Sequence, residues 1–171
     1  ISFYTFFQMC ALSFSVSFLI DTMKLFRIKK GICFVVTLFY ALVPYHAVFS
    51  VTIWKDILFA AALLIFSCCL LRFSSRITIS DLIRFLISGI MLCLFRSNGW
   101  YGFLLCFPFL LFYFRKKAKA IFPVLFGILL TAVIVKYPVM NHAGVIQPDL
   151  IESLSIPTQQ IASVICNDRE L

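Results

Sequence analysis

Charge is what this chain lacks most. Only 13% of its 171 residues are Asp, Glu, Lys or Arg, and just 7 are acidic. A soluble domain carries about a quarter of its residues as charged side chains, so a water-soluble globule is a poor fit. Histidine is scarce, with 2 in the chain, and no C-x-x-C or His/Cys ligand spacing occurs. Both observations argue against a metal centre, and no cofactor is evident. Cys10, Cys33, Cys68, Cys69, Cys93 and Cys106 fall inside apolar stretches, where cysteine acts as a small hydrophobe. Cys166 alone lies in a polar segment, so no intrachain disulfide framework is expected. The chain starts at Ile1 without the basic n-region of a signal peptide. It reads as an internal or C-terminal-half piece of a longer polytopic protein.

What is present is apolar. Hydrophobic residues make up 63% of the sequence, and Phe alone occurs 21 times. The net charge of +8 would suit nucleic acid if it lay on one soluble face. Instead, of 15 Lys and Arg, all but Lys55, Arg96, Lys136 and Arg169 cluster in three short segments between apolar runs. That is the positive-inside pattern of a membrane protein; lipid is the expected partner and nucleic acid is not.

A bilayer core of roughly 30 Å takes about 20 apolar residues per helix, fewer where the ends snorkel. The sequence predicts an all-α, polytopic transmembrane bundle over residues 1–136. About six spans can be drawn, near 1–20, 31–50, 57–73, 77–95, 100–114 and 120–135. The basic segments around Lys24 to Lys30, Arg72 to Arg84, and Arg115 to Lys119 then face the cytoplasm. The breaks at Trp54-Lys55-Asp56 and Arg96-Ser97-Asn98-Gly99, with everything after Lys136, face the other side. Residues 137–171 are too polar to span. Within them Ser155 as N-cap, Pro157 in the first turn, and Ile161, Val164 and Ile165 at helical spacing predict an amphipathic helix near 156–167, lying at the outer surface.

Two polar clusters interrupt the apolar pattern. Lys55 and Asp56 stand beside the interfacial Trp54, and Arg96 and Asn98 precede Gly99 and Trp100. Ionisable groups at such positions are expensive and often mark a site. Lys55 offers a phosphate a cation and Asp56 orients it, while Arg96 offers a guanidinium fork supported by Asn98. The same residues also serve as helix caps and headgroup anchors, with Gly99 supplying a positive φ at the turn. In the tail, Asp149, Glu152, Gln159 and Gln160 suit a hydroxyl-rich ligand, and capping explains them equally well. His46 and His142 are too few for a metal triad.

Trp54-Lys55-Asp56 opening an apolar helix, Leu94-Phe95-Arg96-Ser97-Asn98-Gly99, a basic turn, and the segment from Glu152 to Ala162 occur in this order over nearly the whole chain. Together they resemble a group of bacterial membrane proteins similar to the GT-C glycosyltransferase superfamily, whose architecture protein mannosyltransferases and aminoarabinose transferases share. The tail segment is the most specific part. The resemblance implies an inner-membrane enzyme taking sugar from a polyprenyl-phosphate donor at the outer face. It implies Lys55 and Arg96 toward the donor phosphate, Asp56 and Asn98 as orienters, and the tail with Glu152, Gln159 and Gln160 as an acceptor-side lid. The family's catalytic carboxylate lies in a large outer loop that nothing here matches, so the catalytic residue stays unassigned. Two readings of other classes compete: a carrier or flippase for a lipid-linked or small solute, and a non-enzymatic membrane scaffold.

Overall fold

The computed structural model describes residues 2–44, 48, 51–52, 55–142 and 159. Six α-helices dominate: α1 Ser2–Leu25, α2 Lys30–Leu42, α3 Lys55–Ser75, α4 Ile79–Phe95, α5 Ser97–Tyr113 and α6 Ala118–Ile134. A 3-10 turn, Arg115–Lys117, joins α5 to α6, and no strand occurs among the described residues. The fold is the all-helical bundle the sequence predicts.

Local chemistry sets several of these ends. After α1 the chain closes a Schellman motif, with Ile28 N–H donating to Met23 O at 3.1 Å and Arg27 N–H to Lys24 O at 3.0 Å. That geometry puts Arg27 at φ 55°, a left-handed conformation usually filled by glycine. Thr78 caps α4, its hydroxyl oxygen accepting from the Asp81 N–H at 3.3 Å. Asp56 and Asp81 each fall in a first helical turn, where the macrodipole favours an anion. Pro108 and Pro123 lie inside α5 and α6.

The stretches Phe3–Leu25, Asp56–Ser75 and Arg115–Val139 are long and apolar enough to cross a bilayer, and Lys30–Leu42 and Asn98–Tyr113 are shorter apolar helices. The chain is a membrane protein. Large side chains such as Phe3, Leu105, Phe109 and Phe112 stand exposed, which water would penalise and lipid does not.

The chain divides into two units, Ile1–Val135 and Lys136–Leu171. In the first, α4 is the centre: it packs on α3, α5 and α6, while α3 also meets α1, and α1 meets α2. Phe85 of α4 stacks on Phe66 with centroids 4.5 Å apart and meets Phe73 edge-on at 5.2 Å. Gly89 lets α6 come close, because a Cβ there would lie 2.5 Å from Ile128 Cδ1. In the second unit Tyr137, Pro138 and Val139 continue a π-helical turn begun at Val135, followed by the short α-helical turn Met140–His142, and Gln159 is helical. The predicted helix near 156–167 otherwise lies outside the described residues.

Candidate functional site

The first unit has two chemically distinct poles. The ends of α1 and α3 and the start of α4 meet at one pole, where Asp21 pairs with Arg72, Arg72 with Asp81, and Lys117 Nζ donates to the carbonyls of Phe73 and Ser74. Lys24, Arg27, Lys29, Lys30, Arg76 and Arg115 to Lys119 belong to the same helix ends. This is the basic pole. At the opposite pole Gln8 Nε2 donates to Thr52 O at 2.9 Å, and α3 begins where α4 ends.

At that opposite pole the structure brings the two polar clusters together. Arg96 Nη2 donates to Asp56 Oδ2 at 2.7 Å, and Arg96 Nε lies 2.6 Å from Asp56 Oδ1. The two residues are 40 apart in sequence, and both side chains stay partly open, 41% for Arg96 and 31% for Asp56. One charge-assisted hydrogen bond, from Nη2, thus ties the guanidinium to the carboxylate. Arginine has five N–H donors, and among the described residues Arg96 pairs only with Asp56. The outward donors of an oriented cation therefore remain for an anionic ligand. Screening by solvent keeps the pair's contribution to stability small, about 0–1 kcal/mol.

The break carrying Arg96 is shorter than a turn. Arg96 is a single extended residue, φ −139° and ψ 139°, between Phe95 of α4 and Ser97 of α5. Ser97, Asn98 and Gly99 are already helical, the Gly99 and Trp100 N–H groups both donating to Arg96 O. Gly99 consequently does not take the positive φ expected from a glycine turn. Its role is close approach: a Cβ there would lie 2.2 Å from Leu92 O and 2.7 Å from the Phe59 ring. The missing side chain lets α5 fold back on α4 and α3 and so aims Arg96 at Asp56.

Lys55 is the first residue of α3, and nothing is described of its side chain. Asn98 is exposed on the first turn of α5, and the partner that orients Arg96 is Asp56. Gln159, in the second unit, is helical and exposed. Glu152 and Gln160 lie outside the described residues. No group of three or more His, Cys, Asp or Glu suited to a metal occurs among the described residues.

Sequence reasoning missed the other polar assembly. Asp81 is fully buried at the basic pole and accepts from the Thr78 hydroxyl, while Arg72 Nε and Arg84 Nη1 each lie 3.1 Å from its Oδ1. Arg72, whose side chain is 5% exposed, also donates to the solvent-facing Asp21 at 2.8 Å. Both guanidinium carbons sit 4.9 Å from the centroid of the Phe18 ring, a cation–π arrangement. Two signals pointed there: the Thr78-x-x-Asp81 spacing of a cap, and an aspartate beside an apolar helix start.

Residues 1–170 match a family model described as "Family of unknown function (DUF6020)". No curated protein and no solved structure matches the chain. The chain is a member of that family, Family of unknown function (DUF6020).

Proposed function

We propose that this chain is part of a GT-C-like glycosyltransferase that uses a polyprenyl-phosphate-linked sugar at the outer face of the membrane. The observation that carries the reading is the Asp56–Arg96 pair: an arginine oriented by a carboxylate, partly open, at the pole away from the basic helix ends. By the positive-inside rule that pole faces away from the cytoplasm. The membrane is taken as the bacterial inner membrane from the resemblance described above.

Transfer from such a donor breaks the bond between the anomeric carbon and the phosphate oxygen, and negative charge grows on the departing polyprenyl phosphate. A fixed cation aimed at that oxygen stabilises the transition state more than the ground state. Arg96 fills this role and Asp56 holds it in place. Because the pair is neutral as a unit, Lys55 at the same helix start supplies the net positive charge that attracts the donor. The acceptor's activating base is not assigned to a residue of this chain. Asn98, on the same turn as Arg96, suits a sugar hydroxyl. Glu152, Gln159 and Gln160 are assigned to the acceptor side on the resemblance alone.

The test is transfer of label from a panel of radiolabelled polyprenyl-phosphate sugars by the protein in membranes. Arg96→Gln is expected to cut transfer roughly tenfold or more, the scale of one hydrogen bond to a charged group. Asp56→Asn is expected to lower it less, by loosening the guanidinium. Correctly inserted protein that transfers from no donor, or an Arg96→Gln variant with unchanged transfer, would overturn the assignment and favour a carrier or a scaffold.

A further inference from the structure

The bundle carries a charged pair at each pole, and each pair has one member on α3. At one end Asp56 meets Arg96, both side chains partly open. At the other Arg72 meets Asp21, whose side chain is 64% exposed. An open ionised group is costly in hydrocarbon, and an aspartate is too short to snorkel far. Each pair therefore marks a level where water or headgroups begin. Asp56 and Arg72 stand sixteen residues apart on one helix. At 1.5 Å per residue the two levels are about 24 Å apart, and any tilt of α3 brings them closer. A typical hydrocarbon core is roughly 30 Å thick. The apolar layer of this bundle is thinner by about 6 Å.

Two further features agree. The helices α4 and α5, which pack on each other, have 17 residues each, about 25 Å of rise. Along the open face of α5, Leu105, Phe109 and Phe112 lie between Tyr101 and Tyr113, all well exposed. Tyrosines at the two ends of an apolar stripe settle at the two membrane interfaces. Here they are twelve residues apart, about 18 Å, and Arg115 follows, lying over the Phe112 ring at 5.2 Å. Longer apolar helices such as Phe3–Leu25 fit a thin layer by tilting. A short helix cannot stretch to fill a thick one, so the short members set the thickness.

We propose that the first unit is fitted to a thin bilayer: it gathers glycerophospholipids with short acyl chains around α3, α4 and α5, and thins a bilayer of ordinary thickness next to it. Chain length, not headgroup charge, is what the bundle selects, and the selection does not depend on the transferase reading.

The experiment is native mass spectrometry of the full chain released from nanodiscs of dimyristoleoyl and dioleoyl phosphatidylcholine in equal parts, two lipids that differ in chain length alone. Wild type should retain the shorter lipid over the longer, roughly fivefold, the scale that a few Å of mismatch sets. Its unfolding temperature in vesicles should fall steadily from dimyristoleoyl through dioleoyl to dierucoyl phosphatidylcholine. Asp21→Leu combined with Arg72→Met removes the pair at the basic pole and leaves Lys24 and Arg76 as the next charges on α1 and α3. It should roughly halve the lipid preference; if it does not fold, the wild-type series decides. Equal retention of the two lipids by wild type, or an unfolding temperature highest in dioleoyl lipid, would overturn the proposal. So would a folded double variant that keeps the full wild-type preference.

Discussion

Removing Asp81 tests the packing account where it is most exposed to error. Its side chain is fully buried, and it faces two guanidiniums, one of them Arg72 with a 5% exposed side chain. Breaking a buried ion pair from one side leaves an uncompensated charge, at about 3–5 kcal/mol. Arg72 retains Asp21 at 2.8 Å and Arg84 is partly open, so Asp81→Leu should fall near the lower end, about 3 kcal/mol. Taking Arg72 to Met in the same chain removes the stranded charge as well. Replacing both members of a buried pair by apolar residues is often close to neutral, so the double variant should return to within about 1 kcal/mol of wild type. The coupling energy then amounts to about 2 kcal/mol or more. The assay is equilibrium unfolding of the purified protein in mixed micelles, run as a double-mutant cycle. A single-variant cost below about 1 kcal/mol, or additive costs in the double variant, would refute the claim that these charges form one buried unit.

Gly99→Ala should destabilise the protein by about 1–3 kcal/mol, the range of overpacking, because the added methyl meets the Leu92 carbonyl and not a flexible side chain; thermal unfolding in detergent measures it. Arg27→Gly should stabilise by about 1 kcal/mol in the same assay, since Arg27 holds the left-handed conformation at the end of α1. Lys116→Cys, with Cys10, Cys106 and Cys166 changed to Ser, should resist a membrane-impermeant thiol reagent in intact cells and react after permeabilisation. Labelling in intact cells would invert the topology on which the proposed function rests.

The helices were legible because the signal that makes them is one-dimensional. Long apolar runs separated by short polar breaks leave the backbone no way to satisfy its hydrogen bonds in lipid except as helices. That the Asp56 and Arg96 breaks share a pole was legible for a related reason, since successive helices alternate direction and every second break returns to the same side; that Asp56 is the partner of Arg96 was not. What escaped was the pairing of charges within helices. Arg72 and Arg84 read as ordinary members of a basic flank, and the first span, drawn near 1–20, stopped short of Asp21. In the structure α1 continues to Leu25, which keeps Asp21 helical and within reach of Arg72, 51 residues away. Gly99 was misread because a glycine beside a helix break suggests a left-handed turn, whereas steric proximity to Leu92 is a tertiary fact with no local signature.

The most direct measurement of the central claim is photo-crosslinking of a polyprenyl phosphate carrying a photoreactive group beside its phosphate, in membranes containing the protein, with the adducts mapped by mass spectrometry. Adducts on peptides containing Lys55, Asp56 and Arg96, reduced by Arg96→Gln and competed by unlabelled polyprenyl phosphate, are the predicted result. Adducts confined to the peptides of the basic pole, or adducts that competition leaves unchanged, would contradict a donor-phosphate site at the Asp56–Arg96 pair.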